Sequence, residues 1–362
     1  MTSGENLASE TIEASGSIMS IPQVRYWVFN YMPQWEAVSK EIASLLDGLG
    51  EAVDGSLVSL NTSDRGLRLT GRLKRIPLPQ GLPLYPLLRP HAARADINHV
   101  FASAGERWLG PLVARYNGVL TIAKGTASLD RVQRNATTLQ RYRMIVVQCD
   151  RDRDLMRQLG VPDASLRVIR PGIPLAAYRE ARGPFTVLFA SSPLSEGDFL
   201  TRGIYLVVRV AARLPDVRFL LVWRRRHIEK LQGLIAEAGA ANIEVRNGVI
   251  PDMGAVYDRV HATVLPALEH RSFVPAPRSG LESLAHGKPL LVSPCVSIAG
   301  SLARAGAGVV FEPTLEGLES AIAELRERYD TLQQHTHGYL RKRFSPAVHL
   351  DLYRRLYQTI GG

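Results

Sequence analysis

The sequence predicts an α/β protein made of two Rossmann-like, doubly wound parallel-sheet domains in tandem, and three observations carry that expectation. The chain has 362 residues, more than the usual ~100–200 of a single domain, so two separate cores are the natural arrangement. Short apolar runs alternate with helix-length segments, the rhythm of a parallel sheet covered on both faces. That alternation restarts after the punctuation ARGP (181–184), which marks a hinge near 180–186. The expected division is a disordered tail over 1–20, a first Rossmann-like domain over 21–182, a second over 183–344, and a closing helix over 345–362 that returns to the first domain.

In the first half, VRYWVFNYM (24–32) is β-branched and aromatic and reads as a strand. PQWEAVSKEIASLLDG (33–48) then places Trp35, Val38, Ile42, Leu45 and Leu46 at helical spacing. Apolar runs recur at 56–60, 97–101, 118–122 and 144–148. The basic stretch 65–90 is too interrupted by Pro and Gly to be one regular element, and reads as loop plus a short helix. Its charges serve either as a solvated face or as a loop that touches an acidic lipid surface or an anionic acceptor.

The second half begins with TVLFASS (186–192), followed by a helix over 204–213 and the strand FLLVW (219–223). A helix over 228–239, the strand IEVRNGV, a short helix and ATVLPAL come next. RSGLESLAHG, PLLVSP and TLEGLESAIAELRERY continue the pattern as helix, strand and helix. Ser345-Pro346 offers a cap and a first-turn proline for a last helix with an apolar stripe of Leu350, Tyr353, Leu356 and Tyr357.

Composition narrows the function classes. A hydrophobic content of 46% and a charged content of 22% are those of an ordinary globular protein. No apolar run approaches the ~20 residues of a membrane span. The opening twenty residues are Ser/Glu-rich without a basic start or an apolar segment, so they read as a tail rather than a secretory signal. The expected location is the cytoplasm, with peripheral attachment to the inner membrane face left open. Cys149 and Cys295 stand alone, without metal or disulfide spacing, and are expected in the core. A net charge of +10 favours anionic partners, yet no nucleic-acid-binding motif accompanies it, so nucleic acid is not an expected partner.

Four segments then recur in a known order. RYRMIVVQCDRDRDLMRQLGVPDASLRVIRPGIPLAAY (141–178) is followed by PDVRFLLVW (215–223), IEVRNGVIPDMGAVYDRVHATVLPAL (243–268) and ESLAHGKPLLVSP (282–294). In order and spacing these resemble the family 4 glycosyltransferases, over most of 141–357 and more loosely over 21–140. The resemblance implies the GT-B architecture, two Rossmann-like domains facing a cleft. It also implies transfer of a sugar from a nucleotide-diphosphate sugar to a glycan, lipid-linked or small-molecule acceptor, with retention at the anomeric carbon.

The same resemblance implies a donor site on the second domain. Glu282 is similar to the family's second motif glutamate, which accepts hydrogen bonds from the ribose; otherwise it is a first-turn glutamate that favours the helix dipole. The family's first glutamate falls on Val274, within VPAPRSGLE, a string that brings Arg278, Ser279 and Gly280 to the helix start. Glu269 could stand in for the missing carboxylate if 270–280 folds back. Arg202-Gly203 resembles the family's Lys-Gly phosphate element, a guanidinium adding a bidentate fork. The strand-end arginine of the family is replaced by Ser192. Arg224, with Arg225 and Arg226, either supplies charge to the cleft or forms a solvated turn. Asn247, Gly248 and Val249 resemble the turn that reads the nucleobase. In the first domain Lys124 occupies the position of a family histidine before Gly125, as a substitute contact or as a surface lysine. No cofactor or metal is required in this reading, because guanidinium groups and helix amides meet the leaving diphosphate. The missing glutamate, arginine and histidine keep a second class open, a non-catalytic GT-B-fold binding or partner subunit.

Overall fold

The computed structural model of the protein describes residues 21–34, 36–59, 73–75, 85–123, 129–193 and 195–361. Among these, the first sheet comprises β1 (Gln23–Val28), β2 (Asp54–Ser59), β3 (Leu73–Arg75), β4 (Ile97–Ala102), β5 (Gly118–Ile122), β6 (Met144–Val147) and β7 (Leu166–Val168). The second comprises β8 (Thr186–Ala190), β9 (Arg218–Trp223), β10 (Ile243–Asn247), β11 (Ala262–Leu265), β12 (Leu290–Val292) and β13 (Gly308–Val310). Spatial orders are β3-β2-β1-β4-β5-β6-β7 and β10-β9-β8-β11-β12-β13, and every strand pair is parallel. Each is a doubly wound sheet whose strand order reverses once, between β1 and β4 and between β8 and β11, and ligands of such sheets bind at that reversal, beyond the carboxyl ends of the strands.

Local chemistry sets the element ends. The strand expected through Met32 stops at Val28, and the helix expected from Pro33 starts at Ala37. Pro33 has no N–H and restricts the residue before it. The connection is instead closed by Glu36 N donating to Met32 O (2.9 Å) and Met32 N donating to Ser39 Oγ (2.9 Å). The stretch 65–90 holds a strand that the sequence did not suggest, β3, which pairs with β2 at the sheet edge, where interruptions are tolerated. Its helix runs over Tyr85–Ala93. Two further helices, Ala299–Ala305 and Tyr329–Arg343, and the strand β13 were also not separated by periodicity.

Helix Ala37–Gly48 turns Val38, Ile42 and Leu45 onto the first sheet, and helix Pro346–Gly361 packs Tyr353, Leu356, Tyr357 and Ile360 into the same cluster. Burying side chains of this size stabilises by about 1.5–3 kcal/mol each. A polar network lies inside this packing: His99 Nδ1 is 2.7 Å from the Tyr357 hydroxyl, His99 Nε2 is 2.7 Å from Thr121 Oγ1, and Thr121 is 2.9 Å from the Tyr353 hydroxyl. Burial drives His99 well below the usual histidine range, so the ring is neutral and donates from one nitrogen only. Cys149 is buried, whereas Cys295, expected in the core, is half-buried at its edge; both are free thiols.

The segment that leaves β7 is joined to the start of the last helix by Ile173 N donating to Phe344 O (2.8 Å) and by His349 Nδ1, 2.8 Å from Arg170 O. The carboxyl ends of the two sheets face each other. Lys40, beyond β1, meets Glu282, beyond β11, at 3.1 Å, and Arg151, beyond β6, donates to His270 O at 3.2 Å. Among the described residues no helix is long and apolar enough to cross a membrane.

Candidate functional site

The turns that leave β8, β9 and β10 are laced into one rim. Arg202 Nη1 donates to Ser191 Oγ (2.7 Å) and to Ser192 O (3.1 Å), so the guanidinium spans the end of β8. Ser192 Oγ accepts from Arg224 N at 2.8 Å, and Asn247 Oδ1 accepts from Arg225 N at 2.8 Å. Gly248 N closes the rim on Trp223 O at 2.8 Å. Arg225 and His227 both hold positive φ, +62° and +53°. For residues with a Cβ this costs on the order of 1–3 kcal/mol and is sustained only where neighbouring contacts fix the turn. The Trp223 indole donating to Arg226 O at 2.7 Å is one such contact. Val249 then projects into solvent, 56% exposed.

Arg202 reaches its position because Gly203 turns the chain with φ +71°, and a Cβ there would lie 2.2 Å from Pro266 O. Only glycine allows the first turn of helix Ile204–Arg213 to approach the end of β11 so closely. Burial lowers the Arg202 pKa from its ordinary value, and the Asp198 carboxylate partly restores it. Its Nε has no hydrogen-bond partner, Asp198 standing at 3.7 Å. That leaves a half-buried cation with a free donor at the strand reversal.

A second group of residues surrounds Glu282 on helix Arg278–Ala285. Glu282 Oε1 accepts from Arg278 Nε (2.9 Å) and from Lys40 Nζ (3.1 Å), while Oε2 accepts from the Tyr257 hydroxyl (3.3 Å). Burial pushes this carboxyl up, but the charges of Arg278 and Lys40 outweigh it and hold the group below the usual carboxylate range. It is therefore a carboxylate at neutral pH. Burial and the Glu282 charge push the Tyr257 phenol well up, with the charges of Arg278 and Arg224 opposing. Gly280 lets the helix start press on β11, since a Cβ would lie 2.8 Å from Leu265 Cδ1. Ser279 occupies the same first turn.

The structure thus gathers Arg202, Gly203, Ser192, Arg224, Asn247, Gly248 and Val249 at one end of the second sheet. It sets Arg278, Ser279, Gly280 and Glu282 beside them. Glu269 is not brought into the Glu282 group: it pairs with Arg271 at 3.4 Å and is about half exposed. Val274 is half-buried in the loop before the helix. Lys124 and Gly125 lie outside the described residues.

Sequence reasoning missed Lys40 and Tyr257, both in contact with Glu282. It also missed Glu41, the buried neighbour of Lys40. Gln148 donates to Glu41 Oε2 at 2.9 Å, Oε1 has no partner, and burial raises the carboxyl to about 7 against the opposing Arg278 charge. A charged residue on the apolar stripe of an amphipathic helix was the available signal for Glu41; Lys40 had none.

No family model matches the chain, and no curated protein sequence matches it. Among solved structures it is similar to sucrose-phosphate synthase from Thermosynechococcus elongatus, with 15% identity over 93% of this chain and 100% of that one, at a TM-score of 0.76. It is similar to HepE from Anabaena, solved in complex with UDP, with 13% identity over 93% of this chain and 100% of that one, at a TM-score of 0.74. WaaG, a glycosyltransferase involved in lipopolysaccharide biosynthesis, gives 15% identity over 94% and 100% of the two chains, at 0.68. The fold is the GT-B fold of glycosyltransferases, as the sequence resemblance implies.

Proposed function

We propose that the protein is a glycosyltransferase that takes its sugar from a nucleotide-diphosphate donor held against the second sheet. The observation that carries this reading is the Glu282 carboxylate, ionised and set among Arg278, Tyr257 and Lys40 at the carboxyl end of the second sheet. A carboxylate accepts from vicinal ribose hydroxyls, while Arg202 and the amides beginning helices Ile204–Arg213 and Arg278–Ala285 suit a diphosphate. The turn Asn247–Val249 meets the base. HepE, of the same fold, was solved with UDP-glucose, which supports a donor of that chemical class.

In this reading the bond from the anomeric carbon to the diphosphate breaks and the acceptor hydroxyl oxygen forms the new bond on the same face. The acceptor proton passes to the departing phosphate oxygen, and the guanidinium charge compensates the diphosphate as it leaves. No metal is required, so a chelator leaves the rate unchanged. The acceptor, a glycan, lipid-linked or small molecule, approaches from the first domain, and a basic surface suits peripheral work at an anionic membrane.

One observation favours a second reading, a non-catalytic binding subunit. The half-buried Val274 stands where the resemblance expects a carboxylate, and Glu269 is held by Arg271. A thermal-shift screen of nucleoside diphosphates and their sugars, followed by a donor-hydrolysis assay, separates the two. Stabilisation with turnover supports transfer, stabilisation without turnover supports the binding subunit, and no stabilisation by any donor overturns both.

A further inference from the structure

A cavity of ≈ 800 Å³ lies at the opposite end of the second sheet from the candidate donor site, at the amino ends of β8, β9 and β10. One wall is the sheet, through Thr186, Arg218 and Glu244; the other is the interdomain connection, through Arg179, Glu180 and Arg182. It exists because the chain between β10 and β11 makes only the short helix Met253–Tyr257. That helix covers Leu188, Leu220 and Val222 and leaves the neighbouring face of β10 bare. The sequence of β10 is written for this: Ile243 and Val245 pack into the core on the far face, while Glu244 and Arg246 alternate onto the open one.

The lining is unusual in its charge. Five arginines, Arg179, Arg182, Arg218, Arg246 and Arg259, line it with three acidic residues, Glu180, Glu244 and Asp258. Two of the five are already matched, Arg246 with Glu244 at 2.7 Å and Arg179 with Asp258 at 3.6 Å. Arg182, Arg218 and Arg259 have no ion pair among the described residues, and only Glu180 remains to oppose them. Like charges gathered around a concavity raise the local concentration of anions. Guanidinium forks pair with phosphate oxygens two at a time, and the volume falls within the ~300–1,000 Å³ of small-molecule sites.

We propose that this cavity is a second anion site, for a small molecule carrying two phosphate groups, gripped by Arg218 and Arg259 from the sheet side and Arg182 from the connection. Such a ligand bridges the second domain to the segment that joins the domains, so its binding stiffens that joint without entering the cleft. The inference does not depend on the transfer activity.

The test is calorimetric titration with inorganic pyrophosphate on the full chain carrying Arg202→Ala, which removes the guanidinium proposed for the donor diphosphate, with orthophosphate in a parallel arm. Pyrophosphate is expected to bind at least tenfold more tightly than orthophosphate. Affinity in that background is expected to fall at least tenfold on adding R182A/R218A/R259A and to stay within about twofold on adding Arg355→Ala, an exposed arginine of helix Pro346–Gly361 that lines neither site. The three arginines are exposed, so an unchanged melting temperature of the triple variant without ligand verifies its fold; the single change Arg218→Ala, expected to cost about threefold, provides the same readout with less perturbation. Absence of pyrophosphate binding in the Arg202→Ala chain, or binding there that neither arginine variant diminishes, would each overturn the proposal.

Discussion

Replacing Lys40 with alanine is expected to tighten nucleoside-diphosphate binding about fivefold. Lys40 reaches across the cleft to Glu282 Oε1 at 3.1 Å, and Arg278 already donates to the same oxygen at 2.9 Å. If ribose hydroxyls bind Glu282, they displace the lysine, and its bond is a cost charged against every binding event. A hydrogen bond to a charged group contributes about 1.5–3 kcal/mol when buried, and an exposed ion pair about 0.2–1 kcal/mol. With side chains 28% and 21% exposed, this pair lies between the two ranges, at about 1 kcal/mol. Since about 1.4 kcal/mol is tenfold in affinity, its removal returns about fivefold. Titration calorimetry with UDP at low salt measures this directly, and high salt should shrink the difference by screening the pair. Unchanged or weaker UDP binding in Lys40→Ala would refute the competition between Lys40 and the ligand.

Glu282→Ala removes the proposed ribose acceptor and leaves two cations facing each other, so nucleotide affinity should fall by about tenfold or more, well beyond the effect of Lys124→Ala in the same titration. Gly203→Ala forces a Cβ towards Pro266 O at a positive φ and should destabilise the fold by about 2–3 kcal/mol, read as a lowered urea midpoint. Tyr357→Phe deprives His99 of a hydroxyl partner and should cost about 1–3 kcal/mol in the same measurement. Glu41 titrates at about 7 in the folded protein against an ordinary 4.5, so its contribution to stability is full below pH 4.5 and is lost as pH rises through 7. The urea stability of wild type should therefore fall between pH 5 and pH 7.5, relative to Glu41→Gln, by on the order of 3 kcal/mol. Parallel pH dependences in the two proteins would contradict the burial of that carboxyl.

Most of the second sheet was legible because its signals are local. FLLVW is an unbroken apolar run and ATVL is interrupted only by a threonine, the residue pattern of strands buried on both faces, and β9 and β11 form there. The helix Tyr329–Arg343 was not legible, because it buries only Leu332, Thr336, Tyr339 and Leu340 along fifteen largely polar residues. Strand β3 was hidden because it is three residues long, two of them charged. The candidate site divides in the same way. Glu282 and Arg202 could be picked out from short motifs with a spacing to recognise. Lys40 could not, since its contact with Glu282 joins residues 242 positions apart and depends on how two sheets face each other. Tyr257 is part of the core, and its hydroxyl alone reaches the site.

The account's central claim, a nucleotide-diphosphate donor on the second sheet, is tested most directly by a crystal structure of the protein with UDP bound. The account predicts ribose hydroxyls on Glu282 with Lys40 displaced, and the diphosphate between Arg202 and the start of helix Arg278–Ala285. UDP bound away from these residues, or the Lys40–Glu282 pair intact with UDP in the cleft, would contradict it.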